Sequence, residues 1–244
     1  MSEGIRISGN GACIEGKTFS GNLSARMTHP DGRPYHTFRT ASLLADGDGI
    51  RFSNCVFENT AGPGKEVGQA IALYLDGDGI VLSDCRILGH QDTLFLAPLP
   101  PAPFEKDGFI GPKESAPRTP GKYLFYRCLI EGGVDFVFGG GQAVFFDCEF
   151  RSVEPGYVFA PSTPEGAEYG FVAVGCRFTC TENVPDRSCF IARPWREHAR
   201  CRLIGCSLGR HIAPEKWKDW NKRAEMGTVF FEDEEGRFLP QPSR

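Results

Sequence analysis

No stretch of this sequence approaches the roughly 18 consecutive apolar residues that a membrane helix needs, so no membrane partner is expected. The opening residues, MSEGIRISGN, have no basic region leading into an apolar run. A secretory signal is therefore not legible, and a cytoplasmic setting is expected, or a secreted one if a leader has been removed. Long blocks of like charge are missing too. The net charge of −4 is spread along the chain, which argues against a nucleic-acid partner. No CxxC pair occurs, and the five histidines do not cluster near the ten cysteines, so zinc ligation has little to stand on. Ten cysteines with no export signal read as reduced thiols rather than a disulfide framework.

What is present is glycine and proline, 30 and 18 of them, which implies many turns and few long helices. With 244 residues, 41% of them hydrophobic, the chain can bury one sizeable core, and a single domain over 1–244 is expected. Six segments share one pattern: FSNCVFENT, LSDCRILGH, FYRCLIEGG, FFDCEFRSV, AVGCRFTCT and LIGCSLGRH. Their cysteines fall at 55, 85, 128, 148, 176 and 206, spaced by 30, 43, 20, 28 and 30 residues, each expected in a short apolar strand before a turn. Such spacings resemble the coil lengths of a solenoid. GDGIRFSNC and GDGIVLSDC repeat further, with the cysteine six residues after the second glycine. A parallel β-helix accounts for the pattern, because equivalent positions of successive coils stack in the interior and small residues pack there as ladders. The proline-rich segment 97–122 reads as a loop excursion from one coil. Residues 207–244 read as an irregular C-terminal tail: APEKWKDWNKRAEMG has mixed helical and loop character, and GRFLPQPSR looks frayed.

Two segments place polar groups among apolar ones. In GGVDFVFGG, Asp135 interrupts what otherwise reads as a buried strand, where a lone carboxylate costs several kcal/mol unless it is paired, hydrogen-bonded or protonated. In GHQDTLFLA, Gln91 and Asp92 lie about one coil earlier once the excursion is discounted. Coils of a β-helix lie about 4.8 Å apart, so the two carboxylates would share one outer face and shift each other's pKa values. Gln69, in VGQAIALYL, lies a coil further back; its amide, like that of Gln91, can donate to a developing negative charge. In FIARPWREH, Arg193 can hold a carboxylate in fixed geometry and Trp195 offers a flat face suited to a sugar ring. Each residue taken alone has a plain alternative: an amide ladder for the glutamines, a turn for Asp92, a surface ion pair for Arg193, packing under the tail for Trp195. Together they are harder to dismiss.

In order along the chain, GQAIAL, GHQDTLF, GGVDFVFG and ARPW resemble the signature segments of pectin methylesterases, carbohydrate esterase family 8, over roughly residues 40–230. The resemblance implies an all-β, right-handed, single-stranded parallel β-helix. It also implies hydrolysis of methyl esters in galacturonan or oligogalacturonide with neither metal nor organic cofactor. By the same resemblance Asp135 is the nucleophile, and Asp92 donates a proton to departing methanol, then activates water. Gln91 supplies the main oxyanion donor with Gln69 close by, Arg193 fixes Asp135 and keeps it ionised, and Trp195 packs against a galacturonate ring. Phe95 and Phe138 match positions lining the family's sugar cleft. Strict strand alternation would put Asp135 and Phe138 on opposite faces, so a local bend is required.

The chain departs from the family pattern at Ala192, where glycine is common, and at Gly68, where histidine is frequent. Family members also usually carry an extra coil and a capping helix before IRISGNGACIEG. The end of the stack could be shortened, capped by the RMTHPDGRPYH loop, or paired with another copy. Rival readings are a non-catalytic carbohydrate-binding solenoid and a related esterase of altered substrate. The Asp-Asp pair and Gly-His-Gly segment of polygalacturonases, and the basic and calcium-binding clusters of pectate lyases, are not seen.

Overall fold

Many strands alternate buried and outward-facing residues, as in Lys122–Tyr126, others such as Leu94–Leu96 are buried throughout, and the sequence offers no long helix to cover them. Such strands find cover only by coiling over one another. The computed structural model describes residues 4–220 and 228–237. Its coils run in chain order. The first is β1 (Ile5–Ser8), β2 (Cys13–Glu15) and β3 (Thr18–Gly21), and the second is β4 (Leu43–Asp46), β5 (Arg51–Ser53) and β6 (Val56–Asn59). The third is β7 (Leu73–Asp76), β8 (Ile80–Ser83) and β9 (Arg86–Leu88). Next come β10 (Leu94–Leu96), β11 (Lys122–Tyr126) and the long β12 (Leu129–Gly139), then β13 (Gln142–Phe146) and the long β14 (Glu149–Pro161). The last coils hold β15 (Phe171–Val174), β16 (Arg177–Cys180), β17 (Phe190–Ala192), β18 (Arg200–Ile204), β19 (Ser207–Leu208) and β20 (Phe230–Asp233).

Each strand pairs in parallel with its equivalent one coil away, which is the parallel β-helix expected from the repeat. Three faces result. The first carries β1, β4, β7, β10, the second halves of β12 and β14, and β17. The second carries β2, β5, β8, β11, β13, β15, β18 and β20. The third carries β3, β6, β9, the first halves of β12 and β14, β16 and β19. Phenylalanines from all three faces fill the interior, with Phe125 stacked on Phe145 at 4.7 Å and Phe150 on Phe178 at 5.1 Å between ring centroids. Each such buried side chain is worth about 2–3 kcal/mol of transfer free energy.

The corners between faces explain the sequence repeats. At the corner from first to second face, the Gly-Asp-Gly turns stack: Asp48 accepts the backbone N–H of Asp78, and Asp78 accepts that of Lys122, both at 2.8 Å. A Cβ on Gly77 would lie 2.2 Å from the Gly47 carbonyl oxygen, so the corner is closed to any side chain there. At the corner from second to third face stand the cysteines. The sequence reading put them in strands; they lie between strands instead, each just after a residue of positive φ: Asn54, Asp84, Arg127, Asp147, Gly175 and Gly205. That left-handed residue turns the chain inward, and a small side chain is what the bend can bury. The interior ladder is otherwise as expected, with the Cys128 and Cys148 N–H groups each donating to the sulfur of the next rung at 3.4 Å. All ten cysteines are free thiols.

The excursion leaves after β10 and ends at Gly121, one residue earlier than expected, because Lys122 already pairs with Gln142. RMTHPDGRPYH does not cap the first coil. It packs at the corner from third to first face, where Ala25 N–H donates to the Gln69 carbonyl and Arg26 holds the carbonyls of Lys65 and Glu66. Of the C-terminal tail, residues 209–220 contain no helix and lie over the stack through Trp217, whose ring is 5.4 Å from Phe231. Gly236 and Arg237 are not frayed but pair with β20; the rest of the tail reading, residues 221–227 and 238–244, falls outside the described residues. No helix among the described residues is long and apolar enough to cross a membrane.

Candidate active site

The third corner, from third face to first, positions the two carboxylates. Leu94 pairs with Val137 and Phe95 with Phe138, so Asp92 and Asp135 occupy equivalent places in successive coils. Both have positive φ, 63° and 49°, in a region that L-residues rarely adopt. The Asp92 N–H is tied to the Val134 carbonyl at 3.0 Å, and the register of β12 against β14 shifts between Gly132 and Val137. This is the local bend that alternation required. Phe136 and Val137 turn inward and are fully buried, while Asp135 and Phe138 both line a cleft.

The cleft has a volume of about 420 Å³. It is lined by seven of the eight residues singled out in the sequence: Gln69, Gln91, Asp92, Asp135, Phe138, Arg193 and Trp195. Phe95 is the exception. It is 0% exposed, because β10 has strands on both sides and Phe38 closes over it; it supports Phe138 from beneath at 4.9 Å and does not itself line the cleft.

Arg193 grips Asp135 with two parallel bonds, Nε to Oδ1 at 2.8 Å and Nη2 to Oδ2 at 2.5 Å. The guanidinium lies between two rings, its carbon 3.7 Å from the Trp220 centroid and 4.0 Å from that of Tyr157. Asp135 and Asp92 are only 6% and 8% exposed. Burial pushes the Asp135 carboxyl up from its ordinary value, and Arg193 holds it back. Burial and then the charge of Asp135 push Asp92 well above the carboxylate range, against smaller opposing effects from Arg193 and a Gln91 hydrogen bond. Ionising both carboxyls is therefore disfavoured, and the Arg193 bonds favour the charge on Asp135 and the proton on Asp92. Two neighbouring carboxyls in such states can act as acid and nucleophile. Among the described residues no three His, Cys, Asp or Glu side chains are grouped to hold a metal ion.

The Gln91 amide is held from behind by the four-residue helix α1 (Gly64–Val67). A Cβ on Gly64 would lie 2.3 Å from Gln91 Oε1 and 2.5 Å from its Cβ, so only glycine leaves the amide where it is. Sequence reasoning missed several other cleft residues. Phe38 comes from a 3-10 turn (Thr37–Arg39), Phe104 and Phe109 from the excursion, and Arg196 and Trp220 from the late coils. The legible signal was FEKDGFIG, where two phenylalanines stand in an otherwise polar, proline-rich loop; Phe109 packs on Phe38 at 5.8 Å, while Phe104 stays 65% exposed.

The pectinesterase family model matches residues 6–98 and 119–237, which leaves most of the excursion unmatched. The chain is 30% identical over 214 residues to a probable pectinesterase/pectinesterase inhibitor of Arabidopsis thaliana, covering 80% of this chain and 32% of that protein. It is also 30% identical to pectinesterase QRT1 of the same plant, covering 82% of this chain and 47% of that one. This chain thus spans about a third to a half of the length of these relatives. Among solved structures, the pectin methylesterase of Aspergillus niger superposes with a TM-score of 0.74 at 22% identity, covering 95% of this chain and 71% of that one. A pectin methylesterase in complex with a hexasaccharide superposes at 0.72 and 22% identity, covering 99% and 80%. These structural likenesses bear on the fold.

Proposed function

The chain belongs to the pectinesterase family, and from that premise we propose that it hydrolyses methyl esters of galacturonate units in pectin-type chains, releasing methanol. The observation that carries the reading is the unequal carboxyl pair, with Arg193 locked on one member and the other, among the described residues, buried without an ion pair of its own. An Asp135 oxygen attacks the ester carbonyl carbon, and the charge that develops on the carbonyl oxygen is received by the Gln91 amide, with Gln69 beside it. Collapse breaks the bond to the methoxy oxygen, which takes the Asp92 proton and leaves as methanol. The now ionised Asp92 accepts a proton from water as the water oxygen attacks the acyl carbon. The acid product departs, Asp135 is again a carboxylate, and Asp92 has its proton back. Trp195 and Phe138 offer ring faces to the sugar. A purely sugar-binding cleft would need the rings but not two nearly buried carboxyls, whose burial is costly.

Methanol release from highly methylated pectin and from methylated oligogalacturonides tests the reading. The expected kcat/KM profile is a bell, with an acid limb where Asp135 gains its proton and an alkaline limb where Asp92 loses its own. No release from any methyl ester at any pH would sink it. Gly64→Ala should lower kcat by about 10- to 100-fold with a smaller change in KM, because a misplaced oxyanion donor harms the transition state more than binding. An unchanged kcat would mean that Gln91 is not the donor or that its position tolerates the shift.

A further inference from the structure

The second face carries an apolar stripe that stands open among the described residues. Leu124, Phe146 and Ile204 are 41%, 48% and 39% exposed, and all three point outward from it. Parallel register lines up Val81, Leu124, Val144 and Val172 on successive coils. A second row runs beside the first, through Tyr126, Phe146, Val174 and Ile204. The first row is charged only at its ends, with Arg51 at one and Arg202 and Glu232 at the other. Polar groups frame the stripe, exposed Lys122 along one edge and the Arg127–Asp84 ion pair along the other. An apolar centre inside a polar rim is the anatomy of a protein interface, and monomers rarely display so continuous a patch.

The charges at the two ends select the occupant. We propose that the stripe binds the same stripe of a second copy of this chain, the two stacks running antiparallel about a two-fold axis that lies along β13. That axis sets Val144 and Phe146 against their own equivalents, Leu124 against the partner's Val172, and Arg51 against the partner's Glu232. Moving the axis half a coil toward β11 would oppose Arg51 to the partner's Arg202. Moving it half a coil toward β15 would set the charge of Glu232 on the partner's Val81. Charge therefore picks one register out of the three. The partner's Lys122 falls on the edge where exposed Glu168 borders a groove of about 410 Å³ beside Val172, a second pairing of opposite sign. Seven strands about 4.8 Å apart, with their rims, cover about 500–600 Å² per copy, or about 1,100 Å² in all, the lower end for a specific interface. The dimer is accordingly weak, with a Kd of about 1–100 µM. Because the axis runs along the strands, the first faces of both copies, and so both clefts, open on the same side of the pair.

Sedimentation equilibrium of the full chain over a range of concentrations tests the proposal. Wild type should pass from monomer to dimer in the micromolar range. Phe146→Asp, which places two charges against each other on the axis, should raise the Kd at least about a hundredfold. Arg51→Glu and Glu232→Lys should each raise it about tenfold, and the two together should bring it back to within about threefold of wild type, since the exchange restores both pairs. A chain that stays monomeric up to about 1 mM overturns the proposal. A dimer that Phe146→Asp leaves intact overturns it too, because another surface then holds the copies together. A dimer that Phe146→Asp abolishes but the double exchange fails to restore overturns the antiparallel register. The cleft lies on the first face, so methanol release per chain should be equal in wild type and Phe146→Asp. Absence of release from both would sink the esterase reading and leave the sedimentation result standing.

Discussion

Asp135→Asn should lower methanol release at least about 10⁴-fold while leaving the coil stack folded. Asparagine matches aspartate in volume, so neither a cavity nor a clash is expected at a position 6% exposed. What disappears is the charge. An amide oxygen is a poor nucleophile, and an amide nitrogen turned toward Arg193 meets donors with a donor. The guanidinium keeps its place between Tyr157 and Trp220, which limits the structural response. Asp92 is affected through the loss of one cause: with Asp135 neutral, burial alone raises its carboxyl, so the alkaline limb of any residual activity should move down in pH. Steady-state methanol assays with a thermal melt of the same sample decide the matter. A variant that retains more than about a hundredth of wild-type activity, folded, would move the nucleophile elsewhere.

Arg193→Ala should damage both stability and rate, by a different route. It leaves a nearly buried carboxylate without its cation, and breaking such a pair typically costs about 3–5 kcal/mol. Asp135 can escape part of that cost by taking a proton, because its burial is then unopposed. The sign of the pH dependence follows. A carboxyl whose folded pKa is raised binds more protons folded than unfolded, so its contribution favours the folded state at low pH. That contribution is lost as pH rises from the unfolded value of about 3.9 through the folded one. The variant should therefore fall furthest below wild type in melting temperature at neutral and alkaline pH and recover toward acid. Its kcat/KM should lose at least about a hundredfold at neutral pH, with the acid limb shifted upward. Arg193→Lys should restore part of the stability but little of the rate, since an ammonium cannot reproduce the two parallel bonds. A melting temperature with the wild-type pH dependence would show that Arg193 does not hold the Asp135 charge.

The coil repeat was legible because each corner imposes its own residue types. Glycine is required where Gly77 meets the coil before it, and a small side chain where Cys148 follows a left-handed residue. The carboxylate corner announced itself through conflict, an Asp135 inside an apolar run, and the bend it needed is written in its positive φ. Phe95 misled for the complementary reason. Strand position tells which face a residue lies on, but not that a turn from an earlier coil connection brings Phe38 over it. Arg196, Phe104 and Trp220 come together from segments about 90 and 115 residues apart through loop geometry, which has no period to read.

The excursion shares its corner with the short Gly-Asp-Gly turns, and its length is set by nothing in the stack. Leu96 is aligned by Leu75 and Gly139, and Lys122 by Gln142, so the register on both sides survives whatever joins them. Lengthening a connection between fixed ends costs little, about 0.6 kcal/mol per doubling. Inheritance can then treat the cleft wall as an exchangeable cassette. It can grow, be trimmed or be traded between lineages in a single recombination event, while Asp92 and Asp135 are carried unchanged by coils that take no part in the exchange.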